Sequence, residues 1–522
     1  MGIPSSRRAF LKSSGALAAS SALGTTLAGC GSGDDPPVPL TTSEQLALTS
    51  TQAVAAIRAG SRLTAEAYVT TLITRAEALK DLNAFITLNK TGALAAAKKV
   101  DADRVAGKSL PALAGLPIVV KDNINSADLP TSGGTLALKN VQPTSNAASL
   151  QKLIDAGAIV LGKTNLHELA FGITSTNLQA FAGPVKNPYD KTRIPGGSSG
   201  GTAAAIAARI APGGLGTDTG GSVRLPSALC GIAGLRPSVG NNASERRYVN
   251  TDAVVPISHT RDTVGPMARS VADLALLDSV ITGSAVPSAA TLAGVRIGIP
   301  ASFWTGLDTQ VAAVMTATRS KLAAAGVVFV DVDTVGLADL NNKVSFQLAL
   351  HEPIADIPAY LAATGVTGVT IASIEAQIAS PDVKGAFGAI LADVFGAAYA
   401  DALNVHRPAM QKLYADYFRN NALDAMMFPT AILPAAPIDA VNGSSTVSIN
   451  GGAPVDTFNT YIRNTDPGSN AGIPGLSLHA GMTTDGLPVG LELDGPVGSD
   501  LRLLALGMAM EALLGFAPVP TL

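Results

Sequence analysis

Two serines of this chain lie in glycine-rich stretches that could support catalysis. Ser198 lies in PGGSSGG (195–201), and Ser222 ends the run GTDTGGS (216–222). Glycine allows the backbone to approach other groups closely, so such runs can aim several N–H groups at an anion. A serine hydroxyl is a weak nucleophile unless a base lies beside it. The two stretches therefore predict attack by a serine on a carbonyl group, provided that another part of the chain supplies the base.

Lys121 is the candidate base. It follows Ile118, Val119 and Val120, an apolar run typical of a buried strand. Burial disfavours the ammonium form and lowers the pKa of a lysine, and a neutral lysine can accept a proton near neutral pH. The alternative is that Lys121 only extends from the end of a strand towards solvent, with its aliphatic stem packed on apolar surface.

The motifs around these three residues resemble those of the amidase signature family, serine hydrolases that use a Ser-Ser-Lys triad. The resemblance depends on GLPIVVKDN (115–123), PGGSSGG (195–201) and GTDTGGSVRLP (216–226), with further agreement at GKTNLHELAFG (162–172). It covers approximately residues 45–515. Short C-terminal segments resemble the branch that includes mandelamide-type amidases.

The resemblance implies roles for individual residues. Ser222 would be the nucleophile, Ser198 the bridging serine after a cis Gly197-Ser198 peptide, and Lys121 the base. Backbone N–H groups would form the oxyanion hole at Thr219, Gly220 and Gly221, together with Ser222. The implied reaction is hydrolysis of the C–N bond of a small-molecule amide, through an acyl-Ser222 intermediate, to a carboxylate and ammonia or an amine.

Four further residues are candidates for substrate binding. Arg224, two residues after Ser222, could bind a substrate carboxylate or form a structural ion pair. Phe171 and Tyr461 could line an acyl pocket, as could Phe458, although aromatic residues more often belong to the core. Asp218 could orient the glycine-rich turn through hydrogen bonds.

The order of the predicted elements indicates an α/β fold. Short apolar runs at 118–120, 159–161 and 214–216 alternate with helical patterns such as 147–156 and 202–210. Ser43 and Thr64 are candidate N-caps of two helices before residue 108. The family resemblance implies a central mixed β-sheet of about eleven strands covered by helices on both faces.

The N-terminal segment has features of an export signal. SRRAFLK (6–12) matches a twin-arginine signal. The stretch 13–28 is too weakly apolar to span a membrane, and LAGC (27–30) resembles a lipoprotein cleavage box with Cys30 as the lipidated residue. An ordinary cleaved signal is the alternative. The sequence thus predicts a signal peptide (1–30), a disordered linker (31–41) and an amidase domain (42–522) in a periplasmic or lipid-anchored protein.

The composition argues against several other classes of function. A net charge of −3 with 14% charged residues gives no basic footprint for nucleic acid. Of the two cysteines, Cys30 belongs to the signal and Cys230 lies in an apolar run typical of a buried, inert thiol. The five histidines are scattered, without zinc-ligand spacing. We therefore expect no metal and no cofactor.

Three alternatives remain open at the level of sequence. The stretch 196–200 also fits the G-x-S-x-G elbow of a Ser-His-Asp esterase with Ser198 as nucleophile, although 187–195 is a poor strand. A non-catalytic periplasmic lipoprotein could use the glycine turns to bind a small anion, but neither turn ends like a P-loop. The glutaminase subunit of a tRNA-charging amidotransferase shares the expected fold, and the export signal argues against it.

Overall fold

In the computed structural model, which describes residues 37–241, 244–249 and 253–522, eleven of the described strands form one mixed sheet. The strands of this sheet are β1 (Phe85–Leu88), β2 (Pro117–Lys121), β3 (Ile159–Thr164), β4 (Gly213–Asp218), β5 (Ala233–Arg236), β6 (Thr263–Ala268), β7 (Arg296–Ile299), β8 (Val328–Asp331), β9 (Ala425–Pro429), β12 (Gly475–Met482) and β13 (Pro488–Asp494). A separate two-stranded sheet contains β10 (Thr446–Val447) and β11 (Val455–Asp456).

The strand order in the large sheet is β1-β3-β2-β4-β6-β5-β12-β13-β9-β7-β8. Strand β2 runs parallel to both β3 and β4, whereas β4 and β6 are antiparallel. Because parallel neighbours end at the same edge, the residues that follow β2 and β4 lie close together. This arrangement brings Lys121, at the end of β2, near the glycine-rich turn that follows β4.

Helices surround the sheet, which confirms the expected α/β class. The α-helices are α1 (Thr42–Ala47), α2 (Ser50–Ala59), α3 (Ala65–Ala78), α4 (Lys90–Val105), α5 (Ala148–Asp155), α6 (Gly200–Ala207), α7 (Arg224–Leu229), α8 (Val271–Thr282), α9 (Thr309–Ala324), α10 (Leu337–Ala349), α11 (Pro353–Ala363), α12 (Ile371–Glu375), α13 (Pro381–Leu391), α14 (Gly396–Asp401), α15 (Arg407–Asn420), α16 (Thr457–Ile462), α17 (Asp466–Ala471) and α18 (Asp500–Leu514). Short 3₁₀ turns occur at Lys80–Leu82, Leu136–Leu138, Glu168–Ala170 and Ala301–Trp304, and Ala402–His406 is a π-helical turn.

The N-caps of the first helices show how local sequence sets their start. Thr64 caps α3 by accepting a hydrogen bond from the Ala67 N–H, as predicted. Ser43 is not a cap. The cap of α1 is Thr41, which forms a reciprocal capping box with Glu44.

Helix α6 is buried along its whole length and packs against β2, β3 and β4. Its residues GGTAAAIA are mostly small, which permits this close approach. A Cβ atom at Gly201 would lie 2.3 Å from the Asn165 carbonyl oxygen, so only glycine fits there. The helix therefore fixes the position of the residues just before it, including Ser198.

In the part of the chain that the structure describes, no single helix is long and apolar enough to cross a bilayer. Pro381–Leu391 and Gly396–Asn420 reach that length and composition only together, as a pair bent by 85°. The predicted signal and linker up to residue 36, including Cys30, lie outside the described residues.

Candidate active site

Lys121 lies fully buried at the end of β2 and contacts two hydroxyl groups. Its Nζ lies 2.7 Å from Ser198 Oγ and 2.7 Å from Thr217 Oγ1. Burial lowers the pKa of Lys121 to about 7, although the charges of Asp218 and Asp262 act in the opposite direction. A large fraction of the amine is therefore neutral near pH 7 and can accept a proton.

Two other segments of the chain hold Ser198 in place through hydrogen bonds to its carbonyl group. The Gly197-Ser198 peptide bond is cis, as the resemblance implied. The Ser198 carbonyl accepts hydrogen bonds from the His167 N–H (3.1 Å) and the Ser175 hydroxyl (3.3 Å). The side chain of Ser198 is buried, and its hydroxyl faces Lys121.

Ser222 lies in the turn between β4 and α7, beside the segment that carries Ser198. Its carbonyl accepts a hydrogen bond from the Ser199 N–H (3.2 Å), which fixes the two serine segments against each other. Ser222 is 5% exposed and lines a cavity. The Lys121 amine thus contacts the Ser198 hydroxyl, and the backbone places the segment of Ser222 beside that of Ser198. In the described part of the chain, no hydrogen bond joins the Ser222 hydroxyl to Ser198.

The glycine-rich turn presents some, but not all, of the predicted oxyanion donors. The Gly221 N–H donates to Asp218 Oδ1 at 2.9 Å, so Gly221 does not serve as a free donor, contrary to expectation. Within residues 37–241, 244–249 and 253–522, no acceptor lies against the N–H groups of Thr219, Gly220 and Ser222. Those three groups remain as the candidate oxyanion hole, with Thr219 and Gly220 exposed to the same cavity as Ser222.

Arg224 is part of the scaffold beneath this turn and does not bind substrate. It is fully buried, and its guanidinium contacts Asp218 (3.1 Å), Glu492 (2.9 Å) and Ser469 (2.6 Å). Arg236 contacts Asp218 from another side at 3.1 Å. Burial acts to raise the pKa of Asp218, but the two guanidinium groups outweigh it and hold that pKa below its usual range. The structural ion pair is therefore the correct interpretation of Arg224, and the Asp218 carboxylate orients the turn.

A cavity of about 390 Å³ extends from Ser222. Its walls are mostly apolar and aromatic, and include Phe171, Ile173, Ile257, Phe346, Phe458 and Ile462. Phe171 therefore lies where an acyl-pocket residue should lie, and it packs edge-to-face on Phe387 with ring centroids 5.1 Å apart. The rings of Phe346 and Phe458 are 6.1 Å apart. This lining is suited to a flat, uncharged acyl group.

Tyr461 does not line this cavity. It is fully buried in an apolar cluster with Ile173 and Ile194, and its hydroxyl donates to the Pro434 carbonyl at 2.6 Å. The same hydroxyl accepts a hydrogen bond from the Ala436 N–H at 2.9 Å. The predicted binding role of Tyr461 is therefore wrong, because both hydrogen bonds of the hydroxyl are made to the protein.

The histidines do not provide a base for either serine. In the described part of the chain, no histidine ring nitrogen contacts the hydroxyl of Ser198 or Ser222. The ring of buried His167 contacts Thr174 and Asp382 instead. Cys230 is buried, its Sγ lies 3.3 Å from the Pro195 carbonyl, and burial raises the pKa of its thiol.

One group of side chains has the composition of a metal site. The potential ligand atoms of His259, Glu352 and Asp356 all lie within 4.8 Å of one another. Glu352 accepts hydrogen bonds from the hydroxyls of Ser258 and Thr260, the latter at 3.0 Å, and Asp356 lies 3.0 Å from His259 Nδ1. These three side chains thus already form contacts with other protein groups or with each other. They do not contact the side chains of Lys121 and Ser222.

Sequence reasoning predicts that the mostly helical stretch 335–425 covers the mouth of the site, but it did not identify two sets of residues there. The first is Thr217, whose hydroxyl contacts Lys121. It lies in the same strand as Asp218, beside the glycine turn, and that position could have identified it from the sequence. The second set lies on α13, where Asp382, Gly385, Ala386 and Ala389 line the cavity. Their spacing of three and four residues is typical of one helix face.

The comparisons with known proteins agree with this geometry. Residues 67–504 match the family model described as Amidase. The chain is 44% identical to indoleacetamide hydrolase of Agrobacterium vitis, over 87% of this chain and 94% of that protein. It is 40% identical to mandelamide hydrolase of Pseudomonas putida, over 91% of this chain and 93% of that protein.

The fold matches solved amidase structures as well. The native peptide amidase of Stenotrophomonas maltophilia superposes with a TM-score of 0.76 at 29% identity, covering 91% of this chain and 98% of that one. These matches support neither a Ser-His-Asp esterase nor a non-catalytic anion-binding lipoprotein. The chain belongs to the Amidase family and is an enzyme that hydrolyses amide C–N bonds.

Proposed function

We propose that Ser222 is the nucleophile of this amidase and that Ser198 and Lys121 activate it as a proton relay. The observation that carries the proposal is the contact of 2.7 Å between Ser198 Oγ and a fully buried lysine whose pKa is about 7. A lysine that is neutral at the working pH can act as a general base. No other titratable side chain contacts the Ser198 hydroxyl in the described part of the chain.

In the proposed first half-reaction, Lys121 Nζ takes the proton of Ser198 as Ser198 takes the proton of Ser222. Ser222 Oγ then bonds to the amide carbonyl carbon, and the carbonyl π-electron pair moves to the oxygen. The N–H groups of Thr219, Gly220 and Ser222 stabilise this oxyanion; each such donor contributes roughly 100- to 1,000-fold in rate in serine hydrolases. When the C–N bond breaks, the proton returns through Ser198 to the leaving nitrogen.

In the second half-reaction, water attacks the acyl-Ser222 ester. The water gives its proton to the same relay, the bond between the acyl carbon and Ser222 Oγ breaks, and Ser222 regains a proton. The products are a carboxylate and ammonia or an amine. The buried ion pairs of Arg224 and Arg236 with Asp218 keep the turn fixed through both steps.

We further propose that the substrates are primary amides of arylacetic or related aryl acids. The support is the aromatic lining of the cavity at Ser222, together with the names of the relatives at 44% and 40% identity. Arg261, the one cation in the wall that the structure describes, already pairs with Asp466 at 2.5 Å. A carboxylate on the acyl group would therefore find no uncompensated cation in that wall.

The test is ammonia release from phenylacetamide, mandelamide and indole-3-acetamide by the wild type, Ser222→Ala and Ser227→Ala. Ser227 is a matched control, because it is a buried serine on α7 whose hydroxyl donates to the Val223 carbonyl at 2.8 Å. We expect Ser222→Ala to lose at least about 1,000-fold in kcat, and Ser227→Ala to remain within about tenfold of the wild type. Full turnover by Ser222→Ala would refute the assignment of the nucleophile.

We also propose that the protein is exported by the twin-arginine route and anchored through a lipid on Cys30. The support is the SRRAFLK and LAGC motifs. Expression with a labelled fatty acid should give a labelled, membrane-associated wild type, and Cys30→Ser should lose the label. An unlabelled wild type in the soluble periplasmic fraction would show an ordinary cleaved signal instead.

A further inference from the structure

One face of α13 forms part of the wall of the cavity that contains Ser222. Asp382, Gly385, Ala386 and Ala389 all line the cavity, whereas Val383, Phe387 and Ile390 are buried in an apolar cluster. The two sets follow the helical period, so the helix has one face in the core and one face towards the cavity. The cavity face therefore consists of small residues with a single carboxylate near its N-terminal end.

The middle of this face leaves open space. A Cβ atom added at Gly385 would meet no atom within 4 Å, and the backbone there is helical. The first carbon of a larger side chain at this position would therefore enter open space on the cavity face of the helix. Helix interiors favour alanine over glycine, and Gly385 leaves open the space that an alanine methyl group would fill.

Asp382 is anchored on one side and accessible on the other. Its Oδ2 lies 3.0 Å from Nε2 of the fully buried His167, and its side chain remains 31% exposed. Burial acts to raise the pKa of Asp382, but His167 and backbone N–H groups of the first turn of α13 outweigh it, so that pKa lies below its usual range. The carboxylate is thus ionised at neutral pH and retains capacity to accept a further hydrogen bond.

The remaining charges of the wall do not compensate Asp382. Arg261 pairs with Asp466, and the exposed Asp456 caps α16 by accepting a hydrogen bond from the Asn459 N–H at 2.7 Å. The wall therefore combines a largely apolar lining with two carboxylates, those of Asp382 and Asp456, that no arginine or lysine of the described wall pairs with. A neutral aromatic group with a hydrogen-bond donor fits both the apolar lining and the carboxylates, whereas an anionic group does not.

We propose that Asp382 and the Gly385 face determine acyl specificity: the Asp382 carboxylate accepts a hydrogen bond from a ring N–H of the substrate, and the small residues admit a fused bicyclic ring. The inference rests on the proposed hydrolysis of aryl amides at Ser222. It assigns a specificity-determining function to two positions on a helix that the catalytic motifs do not include.

The first experiment compares indole-3-acetamide with naphthalene-1-acetamide, which is also bicyclic but lacks the N–H. We expect the wild type to have the higher kcat/KM for the indole compound. In Asp382→Asn, the amide oxygen keeps the contact with His167 and an NH₂ group replaces the accessible oxygen. The indole-to-naphthalene ratio of kcat/KM should then fall at least about tenfold, because the variant loses a hydrogen bond to a charged acceptor.

The second experiment compares indole-3-acetamide with phenylacetamide in Gly385→Leu. The larger side chain should raise the phenyl-to-indole ratio of kcat/KM at least about tenfold. Gly388→Leu is the matched control: it lies on the same helix, it also has open space at its Cβ position, and it does not line the cavity. We expect the control to leave the ratio of the wild type unchanged.

The outcomes separate this inference from the proposed function. Unchanged ratios in Asp382→Asn and Gly385→Leu would overturn the specificity assignment, and so would a wild type that hydrolyses phenylacetamide but neither bicyclic amide. Turnover that survives Ser222→Ala would instead overturn the proposed mechanism. If Asp382→Asn does not fold, Gly385→Leu and the wild-type preference between the two bicyclic amides still test the specificity assignment.

Discussion

Two lysines, Lys121 and Lys163, lie fully buried on the neighbouring parallel strands β2 and β3, yet their surroundings differ. Lys163 contacts Asp122 at 3.4 Å and donates to Thr131 at 2.7 Å. Among the residues that the structure describes, the Lys121 amine forms hydrogen bonds only with hydroxyl groups, those of Ser198 and Thr217. Since Val120 is the register partner of Lys163, the two lysine side chains leave the sheet on opposite faces.

The partner of each lysine indicates its function. Burial lowers the pKa of both amines, and carboxylate charges oppose this effect at both sites. At Lys163 the opposing carboxylate is Asp122, which contacts the amine, whereas at Lys121 the opposing charges are those of Asp218 and Asp262, which do not contact it. A buried lysine with a carboxylate partner is a structural ion pair, whereas one that faces only hydroxyls can lose its proton and act as a base. The two sites therefore predict opposite consequences for the same substitution.

The largest effect is expected from Lys121→Met. The variant should lose at least about 1,000-fold in kcat, because it removes the general base and leaves the Ser198 hydroxyl without a proton acceptor. Its Tm should not fall sharply, since a buried amine is replaced by an apolar side chain of similar length. Steady-state ammonia release and thermal unfolding would check both parts, and a variant with near wild-type kcat would exclude Lys121 as the base.

The same change at Lys163 should act on stability instead. Lys163→Met leaves the buried carboxylate of Asp122 without its cation, which costs about 3–5 kcal/mol in the free energy of unfolding. The double variant with Asp122→Leu should recover much of that loss. Urea unfolding of the wild type, Lys163→Met and the double variant measures the three free energies of unfolding. A large fall in kcat of folded Lys163→Met would contradict the different functions assigned to the two lysines.

The pH dependence sharpens the distinction further. Lys121 must be neutral to act as a base, and its pKa is about 7, so protonation removes activity as the pH falls. Below that pKa, kcat/KM should decrease about tenfold per pH unit, and above it the rate should reach a plateau. Lys163→Met should keep this profile. A flat profile between pH 5.5 and 8 would contradict the assignment of a neutral-lysine base.

The smallest effect is expected from Tyr461→Phe. The hydroxyl bonds only to the backbone of residues 434 and 436, so its loss should cost about 1 kcal/mol of stability. The relative kcat/KM values for the three test amides should stay as in the wild type. A selective loss on one amide would restore Tyr461 as a substrate-binding residue.

The proposed catalytic residues could be singled out from the sequence because their signals are local. Lys121 ends an apolar strand, and Ser198 and Ser222 lie in short glycine-rich motifs that can be identified from the sequence before the fold is known. The sequence left two interpretations of Arg224 open, a substrate contact and a structural ion pair, because its partners Glu492 and Ser469 lie more than 200 residues away in the chain.

The α13 wall was missed for a related reason. Its helical spacing is visible in the sequence, but nothing there shows that the helix faces Ser222. The expected mixed sheet could be predicted, whereas the relation of the sheet to the helices of residues 337–420 depends on tertiary contacts. Local patterns thus identify the reacting groups, and long-range packing decides what surrounds them.

Covalent labelling with a fluorophosphonate, followed by peptide mass spectrometry, tests most directly whether Lys121 activates Ser222 through Ser198. The phosphonyl adduct should map to Ser222 in the wild type, and the labelling rate should fall by at least about 100-fold in Lys121→Met but not in folded Lys163→Met. An adduct on Ser198, or equal labelling rates in wild type and Lys121→Met, would contradict the proposed mechanism.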